Sequence, residues 1–395
     1  MSRKPTVATA LRVAGVCLLL AAASPALPQS ALKAPVVVVQ PMTLGRPKAG
    51  YGNPAIAVAP NGAVTVVAES GGPGGHRLVA ADLSPVGWSD AVALAVGGAG
   101  DSCNPSMTYD SSATLHLVWS EKQTASYAIH YAFRPAGKPW QDGGIVSVTP
   151  DLECEFPHVA GDRNGRVWMT WQAGRATRYS VYLAWRDGAT SGVLDVTGAR
   201  RDHHNLYPQV FPDSPYPVVW YEETENIFQL RSIVPAASGP GFQVITPLEA
   251  DRLDANQMPW LFEAPSGMLG GVWKDLIGDR VRVLVGFQSP SSRGEGFVAD
   301  ATLSGDASQP YAAAVGKDAV AVAWTGRLAT GSVVYVGRVD GASRVGPALA
   351  LPVAPDGSFG GPRLATGGGN LVHCVWFSDA TRGGTGSLYY AALRF

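Results

Sequence analysis

The densest run of titratable side chains is Asp202-His203-His204-Asn205, with Tyr207 close behind. Imidazole titrates near neutrality, so a histidine here can move a proton to or from a substrate, with a tyrosine as partner. Glu222 adds a carboxylate, which makes His203, Tyr207 and Glu222 the catalytic candidates. Neighbouring residues of an extended chain point to opposite sides, so one of His203 and His204 is expected to face a site and the other to pack. A plain hydrogen-bonded turn would use the same residues. Cys103 and Cys154 lie two and three residues before prolines. In an exported chain they could form a disulfide, provided their Cα atoms come within about 7 Å. A metal site shared with His203 or His204 would lack any C-x-x-C spacing, and neither metal nor cofactor is expected.

These residues need a frame, and the frame is a repeat. Pro54, Pro105, Pro157, Pro208, Pro259, Pro310 and Pro362 follow one another at intervals of 51 or 52 residues. Fourteen residues beyond a proline stand Trp119, Trp171, Trp273, Trp324 and Trp376; Trp220 comes after twelve, and Ala68 holds the place in the first unit. Each unit reads as four short strands: one after the proline, one ending at the Trp, an aromatic-rich third such as Tyr127 to Arg134, and a plainer fourth such as Ala91 to Val96. Four-stranded units of this length arranged in a ring make a β-propeller. The last unit stops after its third strand, and residues 35–42 form an unassigned strand before the first proline. That strand is predicted to complete the seventh blade and remove an open sheet edge. The expected architecture is all-β, a single seven-bladed propeller over residues 31–395.

Comparing the seven copies separates scaffold from site. Two residues after each proline every side chain is apolar: Ile56, Met107, Val159, Val210, Leu261, Ala312 and Leu364. Cys374 falls at another apolar position, two before the Trp, and is expected to be a buried free thiol. One residue after each proline the types scatter: Ala55, Ser106, His158, Gln209, Trp260, Tyr311 and Arg363. In propellers the loops before the inner strand and after the second strand share the face where the axial funnel opens. Here those loops carry Asp101, Asn104, Glu155, His204 and Gln309 before the inner strands, and Lys274, Asp275 and Arg327 after the second strands. The predicted ligand-binding set is therefore Asp101, Glu155, His158, His204, Gln209, Trp260, Lys274, Asp275, Tyr311, Arg327 and Arg363. Trp260 and Tyr311 could wall a sugar ring, and Arg363 could grip an anion.

Composition narrows the classes. Apolar residues make up 46% of the 395 and charged residues only 15%, which excludes a coiled coil or a disordered tail protein. Thirty basic residues face 31 acidic ones with no Lys/Arg run, so no nucleic-acid partner is expected. Arg3, Lys4 and Arg12, the apolar run Val13 to Ala23, and small residues Ser24 and Ala26 have the form of a secretory signal within residues 1–30. The product is expected outside the cytoplasm as a monomer, with no membrane association once the signal is removed.

Units such as Asn104-Pro-Ser-Met-Thr-Tyr-Asp110 followed by Leu115-His-Leu-Val-Trp119 resemble the sialidase-like BNR (Asp-box) repeat propellers. The second half of the Asp box survives in Gly137-Lys-Pro-Trp140, Gly239-Pro-Gly-Phe242 and Gly294-Glu-Gly-Phe297. The resemblance implies the propeller fold and a polar, carbohydrate-type ligand in the funnel. It does not bring the sialidase machinery with it. There is no Arg-Ile-Pro motif, and Tyr221-Glu222 are adjacent in sequence, which is not that family's arrangement. The segment Asp202-His203-His204-Asn205 is loosely similar to an Asp-His-Asn segment of seven-bladed polysaccharide lyases. The expectation is a glycan-recognising propeller; a glycoside hydrolase or polysaccharide lyase, and a protein-interaction scaffold, are the alternatives.

Overall fold

In the computed structural model every sheet is a blade and the core lies between blades. The structure describes residues 32–395 except 46–49, 73–74, 99, 150, 177, 189, 199–202, 225–226, 236–241, 246–259, 264–268, 278–279, 288–300, 304–306, 317–318, 329–330, 341–344, 352–357 and 380–385. The signal-type segment 1–30 thus lies outside the described residues. So do Asp202 and the Asp box half at Gly294-Glu-Gly-Phe297.

Seven antiparallel sheets are formed, and in all but the last the strands follow sequence order from the axis outward. Blade two is typical: inner strand Ser102–Tyr109, then Leu115–Lys122, Tyr127–Arg134 and outer strand Gln141–Ile145. In blade one the expected outer strand Ala91 to Val96 is shorter. Gly87–Trp88 and Val92–Ala93 pair separately with Gly75–Ser84. The ring closes as predicted. Val36–Leu44 runs antiparallel to Ser387–Arg394, from Val36 opposite Arg394 to Leu44 opposite Leu388. No helix among the described residues is long and apolar enough to cross a membrane.

Period-two alternation gives each blade two faces, and each face packs on a neighbour. One buried cluster joins Val67 and Leu78 of blade one to Leu117 and Trp119 of blade two. Another joins Leu388 and Tyr390 of blade seven to Ile56 and Val66 of blade one, across the closure. The repeated tryptophans are scaffold: Trp119, Trp171, Trp220, Trp324 and Trp376 are almost wholly buried. Four of them stack on the residue directly opposite in the third strand. Trp119 lies 4.6 Å from His130, Trp171 5.8 Å from Tyr182, Trp324 5.4 Å from Tyr335 and Trp376 5.8 Å from Tyr389. Such facing pairs are what a sheet gains from side chains, and they explain the third strand's aromatic content.

In the six blades whose repeat proline is described, the inner strand is broken at that proline. Pairing with the second strand skips from Cys103 to Ser106, from Glu155 to His158, from Leu206 to Gln209, from Ser308 to Tyr311 and from Gly360 to Arg363. The residue before the proline takes a left-handed conformation in every described copy: Asn53, Asn104, Phe156, Tyr207, Gln309 and Gly361, with φ between 37° and 55°. This is a β-bulge repeated around the ring, and it re-aims the side chains on either side of the proline.

Candidate functional site

The bulges surround one axial cavity of about 540 Å³, within the range of small-ligand sites. Two rings of side chains line it. One is the ring of left-handed residues before the prolines. The other comes from the residues after them and includes Ser106, His158, Gln209, Trp260, Tyr311 and Arg363. Tyr221, Lys274 and Phe377 reach the same space from second strands. Each follows its repeat's Trp position, so alternation turns it toward the axis when the Trp turns into the blade.

The second ring meets across the axis. Trp260 lies 4.5 Å from Tyr311 and 6.3 Å from His158, centroid to centroid. The Arg363 guanidinium sits over both aromatic rings, 5.5 Å from Trp260 and 5.1 Å from Tyr311. Its Nη1 donates to the Pro362 carbonyl at 3.1 Å. No carboxylate among the described residues forms an ion pair with it, and burial lowers its pKa. Stacking on aromatic faces offsets part of the cost of desolvating a cation but supplies no counter-charge. His158 Nδ1 accepts from the Val210 N–H at 3.2 Å, which leaves the proton on Nε2. Burial pushes the imidazole down to about 4, so it is neutral at pH 7.

The first ring is stitched from blade to blade. Asn104 N–H donates to Glu69 Oε1 at 2.8 Å, Tyr207 N–H to Gln172 Oε1 at 2.9 Å, and Gly361 N–H to Gln309 Oε1 at 2.6 Å. In each case the acceptor belongs to the preceding blade. At Gly361 a Cβ would meet the Phe377 ring at 2.7 Å, so in this blade Phe377 occupies the space a side chain would take.

Of the predicted residues, His158, Tyr207, Gln209, Trp260, Lys274, Tyr311 and Arg363 line the cavity. Asp101, Glu155, His203, His204 and Glu222 are not among its lining residues. Asp101 accepts from Tyr127 Oη at 2.7 Å and meets His76 Nδ1 at 3.1 Å. Burial raises the Glu155 carboxyl, with Glu153 adding repulsion. His203 Nδ1 meets Thr224 Oγ1 at 3.0 Å, and His204 Nδ1 meets Glu223 Oε2 at 2.8 Å. Glu222 is buried and held by Arg231, whose Nε donates to Oε1 at 2.9 Å. Tyr221 faces the cavity, so its neighbour Glu222 faces the other way. The side chains of Asp275 and Arg327 lie outside the described residues.

The disulfide expectation is corrected. Cys103 and Cys154 are both free. Their offsets from the proline differ by one residue, and in a strand one residue reverses the side. Cys154 packs in the core between blades two and three, where Sγ donates to the Leu152 carbonyl at 3.6 Å. Cys103 lies among Glu69, Asp101 and Glu155, and burial with these charges pushes its thiol up to about 12. Cys374 is free and buried. Among the described residues no group of three or more His, Cys, Asp or Glu converges as metal ligands.

Asn53, Phe156 and Phe377 line the cavity without having been singled out, and Tyr221, named only as the neighbour of Glu222, does so too. The usable signal was positional: the residue before each repeat proline, compared across the seven units.

The sequence matches no protein-family model and no curated protein. The fold does find counterparts. A protein of unknown function from Dyadobacter fermentans superposes with a TM-score of 0.56 at 12% identity, over 91% of this chain and 99% of that one. The polysaccharide lyase Uly1 gives 0.54 at 10% identity, over 89% and 91%. A PL25 ulvan lyase gives 0.51 at 12% identity, over 90% and 95%. The chain shares the fold of these three proteins, in its case a seven-bladed β-propeller. Within that fold, the cavity of this chain is lined by positions whose residue types vary from repeat to repeat.

Proposed function

We propose that the axial cavity binds an anionic saccharide. The observation that carries this reading is Arg363: a cation partly buried at the axis, stacked on Trp260 and Tyr311, with no ion-pair partner among the described residues. A carboxylate or sulfate would supply the missing counter-charge through a forked, charge-assisted contact. Lys274 adds a second cation, while the described residues lining the cavity include no carboxylate. The aromatic and amide side chains around these cations suit a sugar's mixture of apolar and hydroxyl surface. The fold shared with two polysaccharide lyases agrees in ligand class. The signal-type N-terminus supports action outside the cytoplasm, where polysaccharides are met.

A second reading, cleavage by β-elimination, is favoured by one observation: His158 and Tyr207 share the cavity with Lys274 and Arg363. A cation on a uronate carboxylate acidifies the neighbouring C–H. Tyr207, as its phenolate, would take that proton while a carbon–carbon double bond forms, and the glycosidic oxygen would leave with its electron pair and be protonated from solvent. His158, with Nδ1 occupied by the Val210 N–H and Nε2 protonated, is not the base. A glycoside hydrolase needs two carboxylates about 5–10 Å apart across the ligand, and the described lining provides none.

The test is an array of acidic and neutral oligosaccharides, with product analysis for an unsaturated uronate. Selective retention of acidic members is expected, and an unsaturated product would add the lyase activity. Retention of neutral glycans alone, or of none, would contradict the proposal.

A further inference from the structure

We propose that Phe156 and Tyr207 form the stacking face for a pyranose ring of the bound saccharide; this rests on the reading of Arg363 as its anion site. The two side chains stand on neighbouring blades three and four, at the position before the proline. Arg363 enters from blade seven, on the far side of the ring. Their rings meet edge to face, with centroids 4.8 Å apart and an interplanar angle of 69°, so they present one continuous apolar surface. Both line the cavity and remain 37% and 36% exposed, unlike the repeated tryptophans.

Their backbone is what sets them apart from scaffold. Phe156 has φ 49° and Tyr207 φ 50°. The left-handed region is costly for a bulky side chain, about 1–3 kcal/mol, and is ordinarily left to Gly or Asn. The fold itself accepts those cheaper residues at this position: Asn53 and Asn104 occupy it in blades one and two, and Gly361 in blade seven. Two aromatic rings held there against local preference, and left uncovered, serve something other than packing. The Tyr207 N–H bond to Gln172 fixes the angle at which one ring is presented.

The ligand class follows. Flat aromatic faces bind the C–H face of a sugar ring, which an inorganic anion or a small carboxylic acid lacks. The site therefore selects an acidic oligosaccharide.

The experiment uses the protein on immobilised uronate, sulfated and sialylated oligosaccharides. Phe156→Asn and Tyr207→Asn keep a residue type that tolerates the left-handed backbone. Each is expected to weaken binding about tenfold, the effect of losing one aromatic contact, without lowering the melting temperature. Tyr207→Phe, which keeps the ring, is expected to bind more tightly than Tyr207→Asn. If Arg363→Gln abolishes binding while both Asn variants bind normally, the stacking face is overturned and the anion site stands. If the Asn variants lose stability together with binding, the two residues are scaffold and the proposal fails. A parent protein that binds no member of the array overturns both.

Discussion

Arg363 and Trp260, from the seventh and fifth blades, meet at the propeller axis with the guanidinium carbon 5.5 Å from the ring centroid. Both follow a repeat proline, and the radial arrangement of the blades brings them together at the axis across blade six. The cation is held by aromatic faces rather than by a carboxylate, and this separates what stabilises the fold from what the cavity is shaped to bind.

That separation is measurable. Trp324 is buried between blades five and six and stacked on Tyr335. Trp324→Ala is expected to cost about 3–5 kcal/mol, as loss of a large core aromatic does. Arg363→Gln removes a desolvated cation that has no ion-pair partner among the described residues, and is expected to leave the melting temperature unchanged or raise it. Thermal denaturation of both variants checks the pair. A large loss of stability in Arg363→Gln would return that residue to the scaffold.

The closing strand carries a second prediction. Leu44 is buried and joins Leu388 and Tyr390 in the core across the closure. Removing residues 32–44 uncovers that apolar face and a sheet edge together. A sharply lower melting temperature and a tendency to associate are expected. An unchanged unfolding curve would contradict closure by this strand.

Acid sensitivity has a defined sign. Burial pushes His158 and His373 down to about 4, against about 6.5 in an unfolded chain. Between those values the unfolded chain binds more protons, so stability falls as pH drops from about 6.5 towards 4 and is restored above it. His130 opposes this. Burial lowers it, but bonds to Glu121 and Asp142 outweigh that and raise it, so its contribution is lost as pH rises through its folded value. His373→Gln, with Tyr390 Oη still within reach of a polar partner, is expected to flatten the acid limb of melting temperature against pH. An acid limb of unchanged slope would rule out His373 as a source.

Thiol counting tests the correction at Cys103 and Cys154. Under denaturing, non-reducing conditions, residues 32–395 should yield three reactive thiols. In the native protein Cys154 and Cys374 should resist alkylation because both are buried. A single reactive thiol after denaturation would restore the disulfide.

Much of the fold was legible because packing repeats. The Pro ladder marks the inner strand in every unit and the Trp ladder the second strand in all but the first, and the truncated last unit pointed to closure by residues 35–42. The cavity was legible in part, through the variable residue after each proline. The residue before it was named only singly, as Asn104, Tyr207 and Gln309, and not as a repeated position, for two physical reasons. A residue preceding proline is ordinarily extended, which hides the left-handed bulge. Its types, Asn, Asn, Phe, Tyr, Gln and Gly, share no property that periodicity detects. Glu222 and Cys154 show the other difficulty. Each sits one residue from a cavity-facing or rim position, and one residue in a strand is the difference between site and core.

The central claim is that the cavity reads negative charge through Arg363. Isothermal titration of an oligouronate and of its fully methyl-esterified form, into the parent protein and Arg363→Gln, tests it most directly. The parent should bind the free acid at least about tenfold more tightly than the ester, and Arg363→Gln should bind both equally weakly. An ester bound as tightly as the acid by the parent protein would contradict it.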